Sequence, residues 1–372
     1  MRFVVFTHSL RSDWNHGNAH FLRGVLTELQ ARGHSVAAFE AEGNWSARNL
    51  VEERGASALG EFARRWPGLP VHVYGPAPLD LAPVLEGADV VLVHGWNEPD
   101  LVRRVGEVRA RGGRFLLFFH DTHHRAATAP EEMQRYDLRH YDGVLAFGEI
   151  IRSLYLERGW AAGAWTWHEA ADVRRFQPIP SVVPDAELTW VGNWGDGERT
   201  AELHEFLLEP ARALGLSGTV HGVRYPEEGR LAVEASGLTY GGYLPNADVP
   251  AVFARHRVTV HVPRRPYARA LPGIPTIRPF EALACGIPLV SAPWEDAEGL
   301  FTPGRDFLVA RDRRQMQRHL RDVLGDPGLR EALVESGLRT VHARHTCAHR
   351  VDELLGLCAR LDGMSVAKAV AP

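Results

Sequence analysis

The chain has only three cysteines in 372 residues, Cys285, Cys347 and Cys358. They lack the close pairing of a metal-ligand motif and make a poor disulfide set, so free thiols in a reducing compartment are the expectation. Long apolar runs are missing too. No stretch approaches the roughly 20 residues of a spanning helix, and the opening MRFVVFTHSL turns polar too soon for a signal peptide. A soluble, cytoplasmic protein is expected, with a peripheral membrane contact left open. Basic excess is also absent. Lys and Arg number 42 against 46 Asp and Glu, a net charge of −4, so nucleic acid is not expected as a partner. Nothing in the composition sets an oligomeric state.

Apolar residues make up 45% of the chain, enough for sizeable cores, and the length suits two domains. Short apolar runs alternate with amphipathic stretches: RFVVFTH (2–8), SVAAF (35–39), VHVYG (71–75), DVVLVHG (89–95), RFLLFFHD (114–121), GVLAFG (143–148) and AWTWHE (164–169). Phe21, Val25, Leu26 and Leu29 mark one face of a helix over about 18–32. Continuous apolar strands separated by helices predict a parallel sheet covered on both faces. The segment RRFQPIPSVVPDAE (174–187) then carries three prolines and reads as a linker. Alternation restarts at LTWVGNW (188–194), GTVHGV (218–223), LTYGGY (238–243), VTVHVPR (258–264), IPLVS (287–291) and DFLVA (306–310), and helices fill 312–361. The expected fold is α/β: two Rossmann-like, doubly wound parallel-sheet domains facing across a cleft. Expected boundaries are 1–172 for the first domain, 173–187 for the linker and 188–345 for the second. A C-terminal helix at 346–361 can cross back to the first domain, and 362–372 reads as a tail.

In doubly wound sheets ligands bind beyond the carboxyl ends of the strands, so residues just after strands draw attention. In the second half these are GNWGDGER (192–199), GVRYP (222–226), GGYLP (241–245) and PRRPYAR (263–269). The loop PGIPTIR then enters a helix carrying Glu281. Pro279 suits the first helical position, which puts Glu281 in the first turn; Gly286 suits the stop. Free N–H groups at such a junction attract phosphate, and Arg199, Arg264, Arg265, Arg269 and Arg278 can add charge. A carboxylate beside a phosphate site can accept two hydrogen bonds from vicinal hydroxyls, as in a ribose. The bland alternative is a glutamate favouring a helix N-terminus, worth about 0.3–1 kcal/mol. Cys285 reads as packing rather than as a nucleophile.

This pattern resembles the GT-B glycosyltransferases of the family 4 clan. Within that clan, RPFEALACG, HTCAHRVDELL and HGNAHFLRG are similar to segments of the CgeB-like, spore-maturation glycosyltransferases. The resemblance spans about 1–361. It implies that Glu281 binds the donor ribose and that the loop through Thr276, Ile277 and Arg278 wraps the diphosphate. Arg199 is implied to face the developing diphosphate. Arg264, Gly222 and Tyr243 complete the expected donor side in this half, and a UDP-sugar is the favoured donor. The clan often carries a second glutamate eight residues before the first, at the transferred sugar. Gly273 stands there in this sequence, which leaves the sugar open.

In the first half, Gly17 and Asn18 precede a helix in HSLRSDWNHGNAHF (8–21), and the resemblance puts this loop against the donor phosphate and sugar. His16 and His20, four apart, can share a helix face. FFHDTHHR (118–125) brings His120 and Asp121 to a strand end. The resemblance implies that His120 lies by the reacting carbon, and an adjacent aspartate suits a base in an inverting transfer. His16, His94, Trp96 and His123 are candidate acceptor contacts. Trp14, Trp45, Trp165 and Trp167 are further aromatic faces, more often core, and Trp167 with His168 suits an interdomain hinge.

The leading expectation is transfer of a sugar from a nucleoside diphosphate to a glycan, protein or small-molecule acceptor, without metal or resident cofactor. The family implies retention of anomeric configuration. Rival readings are a nucleotide-sugar epimerase or sugar phosphorylase on the same fold, a non-catalytic nucleotide-sugar binder, and a metallohydrolase built on the 120–124 histidines. The last needs a second, carboxylate-rich ligand set.

Overall fold

In the computed structural model, residues 1–370 are described, with side chains through residue 362. Contacts divide the chain into two units. The first holds residues 1–169 together with those from Cys347 onward, and the second holds Ala170–Thr346.

The first unit is built on seven strands: β1 (Arg2–Phe6), β2 (Ser35–Ala41), β3 (Val71–Tyr74), β4 (Val90–His94), β5 (Leu116–Asp121), β6 (Gly143–Ala146) and β7 (Ala164–Thr166). They pair in the order β3-β2-β1-β4-β5-β6-β7, every pair parallel. Strands β1, β4 and β5 are buried along nearly their whole length, as their unbroken apolar sequences require. The helix Asn18–Ala31 buries Phe21, Leu22, Val25, Leu26 and Leu29. The last helix, Cys347–Val370, packs on it. There the Arg32 guanidinium donates to Ala348 O at 3.1 Å and pairs with Asp352. Trp167 Nε1 also donates to Arg350 O at 2.9 Å. Of the expected tail, residues 371–372 lie outside the described residues.

The second unit repeats the architecture with β8 (Ala186–Val191), β9 (Gly218–His221), β10 (Thr239–Gly242), β11 (His256–His261), β12 (Leu289–Ser291) and β13 (Leu308–Val309). Their order is β10-β9-β8-β11-β12-β13, again all parallel. In each sheet the winding direction reverses between the first strand and the fourth, at β1/β4 and at β8/β11. These reversals are where a doubly wound sheet opens a crevice at its carboxyl edge. Close strand contact explains two glycines here. A Cβ at Gly218 would meet Leu188 O at 1.7 Å, and one at Gly222 would meet Gly192 O at 1.9 Å.

The helix carrying Glu281 spans Ile277–Cys285, which corrects the expected start. Pro279 is its third residue, not its first, and Glu281 lies in the second turn. The third position tolerates proline equally, because none of the first four helical N–H groups has a partner inside the helix. Gly286 ends the helix in the left-handed region at φ 68°. No helix among the described residues is long and apolar enough to cross a membrane.

Candidate functional site

At the β8/β11 reversal a half-buried arginine ties the two strand-end loops together. Arg199 donates from Nη1 to Val262 O at 3.0 Å, and from Nη2 to Asn193 O and Asn193 Oδ1, both at 2.7 Å. Its guanidinium lies 5.0 Å from the Trp190 ring centroid. Gly192 and Gly195 leave it room, since a Cβ at Gly195 would stand 2.6 Å from Arg199 Cγ. Arg264 joins from the β11 end, donating to Asn193 Oδ1 at 3.0 Å and to Glu198 Oε2 at 2.9 Å. Burial first, then the charges of Arg264 and Arg278, pull the Arg199 pKa down to about 9. Arg199 Nε is buried with no partner among the described residues. His261, at the end of β11, is held down to about 3 by burial, with Arg199 and Arg278 adding to the effect. This is a concentration of positive charge that a bound anion would relieve.

Glu281 closes the other side. It is fully buried. Asn246 Nδ2 donates to its Oε1 at 2.7 Å, and Arg278 pairs with its Oε2. Thr276, which caps this helix, has φ 61° and ψ −178°. That conformation is nearly confined to glycine and costs about 1–3 kcal/mol. It is held at the turn that aims the first N–H groups of the helix. Ile277 packs inside, whereas Tyr243 is half-buried just after β10, on the loop that supplies Asn246.

The carboxyl edge of the first unit gathers imidazoles. Ring centroids lie 5.2 Å apart for His8–His16, 5.7 Å for His16–His94 and 5.5 Å for His94–His120. His120 also packs on Trp167 at 5.0 Å and on Phe21 at 5.9 Å. These histidines come from the segment just after β1, from β4 and β5, and from the turn before the first helix, so the cluster spans the β1/β4 reversal. Burial lowers His8 to about 4 and His120 to about 3, and pushes His16 and His94 well below the usual range. Neighbouring histidines add to the depression of the last two. All four are therefore neutral near pH 7. Both ring nitrogens of His120, His16 Nε2 and His94 Nδ1 are buried without hydrogen-bond partners among the described residues. His94 Nε2 meets Thr122 Oγ1 at 2.9 Å. Trp96, 40% exposed, stands at the rim with Arg125 4.0 Å from its ring centroid and His123 edge-on at 4.9 Å.

The loop bearing His8 and His16 is pinned from beneath. Glu40, fully buried on β2, accepts from Leu10 N at 2.7 Å and Arg11 N at 3.2 Å, and pairs with the Arg11 guanidinium. Arg23 Nε donates to Leu10 O at 2.8 Å, and its Nη1 pairs with Asp13 at 2.6 Å.

Two expectations change here. His120 and Asp121 form no dyad, because successive strand residues point to opposite faces. Asp121 turns to the helix Glu149–Glu157, where it accepts from the Tyr155 hydroxyl at 2.9 Å and from His123 N at 3.1 Å. His16 precedes the first helix and does not share its face with His20. Gly17 caps that helix in right-handed geometry, and Asn18 Nδ2 donates to Glu169 Oε1 at 3.1 Å. Among the described residues, no group of three or more His, Cys, Asp or Glu is placed to hold a metal ion. Asn246, Asn193, Glu40 and Arg23 were absent from the sequence-based set. The only signal for Glu40 was a lone carboxylate in an apolar strand.

Residues 199–356 match a family described as glycosyl transferase-like. No curated protein is similar enough in sequence to match the chain. Solved structures share its fold at low identity. A sucrose-phosphate synthase from Thermosynechococcus elongatus is 15% identical with a TM-score of 0.68, covering 98% of this chain and 100% of that one. Anabaena HepE in complex with UDP and glucose is 14% identical, TM-score 0.64, covering 97% and 100%. An α-glucosyltransferase in complex with UDP and a 13-mer DNA is 11% identical, TM-score 0.66, covering 96% and 99%. The two parallel-sheet units are thus the GT-B glycosyltransferase fold.

Proposed function

We propose that the chain transfers a sugar from a nucleoside-diphosphate donor, with a UDP-sugar favoured, to a hydroxyl-bearing acceptor. The observation that carries the reading is Arg199, half-buried at the β8/β11 reversal without a carboxylate bonded to it, beside Arg264 and Arg278. Such a group calls for a diphosphate, and Glu281 stands next to it to receive a ribose diol. Support also comes from the family match, whose span includes Arg199, Arg264, Arg278 and Glu281. The UDP complexes of HepE and the α-glucosyltransferase, which share the fold, point the same way.

In the reaction the bond from the anomeric carbon to the distal phosphate oxygen breaks, and the diphosphate leaves with the electron pair. The arginines and the N–H groups at Ile277 and Arg278 stabilise that growing charge, the largest electrostatic demand of the step. The acceptor oxygen bonds to the anomeric carbon and its proton passes to the departing phosphate. In this reading no metal is needed, and configuration is retained. The neutral imidazoles of the first unit suit hydroxyl groups, since each offers one donor and one acceptor. Segments RPFEALACG and HTCAHRVDELL favour the CgeB-like branch, and three buried free thiols fit the cytoplasm.

A thermal-shift panel of UDP, GDP, dTDP and ADP with their common sugar conjugates, without added metal, tests the reading. A ligand at 100 times its Kd adds about 2.7 kcal/mol of stability. A shift with one nucleotide supports it, and no shift with any overturns it. Dependence of turnover on a second substrate then separates transfer from phosphorolysis and epimerisation.

A further inference from the structure

Gly273 lies at φ 92°, in the loop that leads to Thr276 and the Glu281 helix. A Cβ there would stand 2.7 Å from Glu298 Cγ and 2.8 Å from Glu298 Oε1. The space into which a side chain at position 273 would grow is therefore filled by a carboxylate from another segment, the loop after β12. The two loops are joined directly: Gly273 N donates to Glu295 O at 2.7 Å. Asp296 builds the turn, accepting from Leu300 N at 2.9 Å and Phe301 N at 2.7 Å. Glu298 itself is half-buried, in the loop that follows β12 at the carboxyl edge of the sheet.

A second carboxylate at this edge repels a diphosphate, so its use must be different. Glu281 is already engaged by Asn246 and Arg278. A carboxylate a short way from the phosphate site can accept hydrogen bonds from two vicinal hydroxyls of a sugar attached to that phosphate. We infer that Glu298 is the residue that holds the transferred sugar of the donor, and that Gly273 is glycine so that Glu298 can reach that place. This inference rests on the nucleotide-sugar reading above. It makes Glu298 a specificity-determining residue, with Gly273 acting only through it.

The test is a pair of affinities. Kd is measured for UDP and for the tightest of UDP-glucose, UDP-galactose and UDP-N-acetylglucosamine, in the parent, Glu298→Gln and Gly273→Ala. The expected result is UDP affinity within twofold in all three proteins. UDP-sugar affinity should fall about tenfold in Glu298→Gln, equivalent to about 1.4 kcal/mol. Gly273→Ala should lose the same discrimination by displacing Glu298, and adding Glu298→Gln to it should cost little more. Equal weakening of UDP and UDP-sugar, or no weakening of either, in a Glu298→Gln protein that melts normally overturns the assignment. Failure of the parent to bind any nucleoside diphosphate would overturn the reading beneath it instead.

Discussion

Asn246 donates a 2.7 Å hydrogen bond to the Oε1 of Glu281, whose other oxygen is paired with Arg278. The carboxylate is thus fixed in orientation before any ligand arrives. Preorganisation of this kind lowers the ordering cost of binding.

Glu281→Gln keeps the volume but removes the charge and one acceptor. Nucleotide affinity should fall by about 1.5–3 kcal/mol, the range for a hydrogen bond to a charged group, as measured by calorimetry. Glu281→Ala should also lower the melting temperature, because Arg278 and Asn246 lose their partner. Unchanged affinity in folded Glu281→Gln removes the ribose assignment.

Arg199→Lys should discriminate between parts of the ligand. Lysine cannot reproduce the fork that reaches Val262 O and Asn193 O together. Diphosphate affinity should fall at least tenfold while binding of the uncharged nucleoside stays the same. If nucleoside and diphosphate weaken together, the arginine is structural.

His120→Gln should leave nucleotide Kd within twofold and lower turnover about a hundredfold, the low end of the range for one positioned proton-transfer group. A variant with parental turnover would move attention to His94 and His16.

The buried imidazoles predict an acid-sensitive first unit. Their folded pKa values lie below the unfolded 6.5, to about 4 for His8 and about 3 for His120, with His16 and His94 also lowered. The unfolded chain therefore binds protons that the folded chain refuses. The stability from neutral burial is complete above about pH 6.5 and drains away as pH falls from there toward 4 and 3. Each such histidine contributes about 1.36 kcal/mol per pH unit inside that window. His94→Gln should flatten a plot of urea-unfolding stability between pH 6.5 and 4.5 by one proton. A slope equal to that of the parent would mean His94 charges in the folded state.

Most strands were legible because fully buried parallel strands are continuous apolar runs: VVLVH and LLFFHD needed no partner to be recognised. Glu281 was legible because a proline, a glutamate and a glycine mark a short helix entered by a loop. Its second-turn position was not, because proline is allowed anywhere in the first turn. The companions of the site were hidden for another reason. Asn246 is 35 residues from Glu281, and Glu40 meets the 9–11 segment only through sheet pairing. Nor did sequence show that His120 and Asp121 part ways. Strand alternation, applied to the last two residues of the RFLLFFHD run, would have said so. Glu298 filling the space beside Gly273 depends on two loops meeting, which no local pattern encodes.

The first unit is discontinuous: Trp167 and Arg32 reach partners at 348–352, whereas the second unit is one unbroken segment. During synthesis, the middle of the chain can therefore complete its own fold before the beginning can. Residues 1–169 leave the ribosome first but must wait, with part of the Asn18–Ala31 helix uncovered, until the last helix emerges. Chaperone demand and the harm done by premature termination should both concentrate in that interval, and a nonsense change near residue 346 would spare the later-made unit while stranding the earlier one.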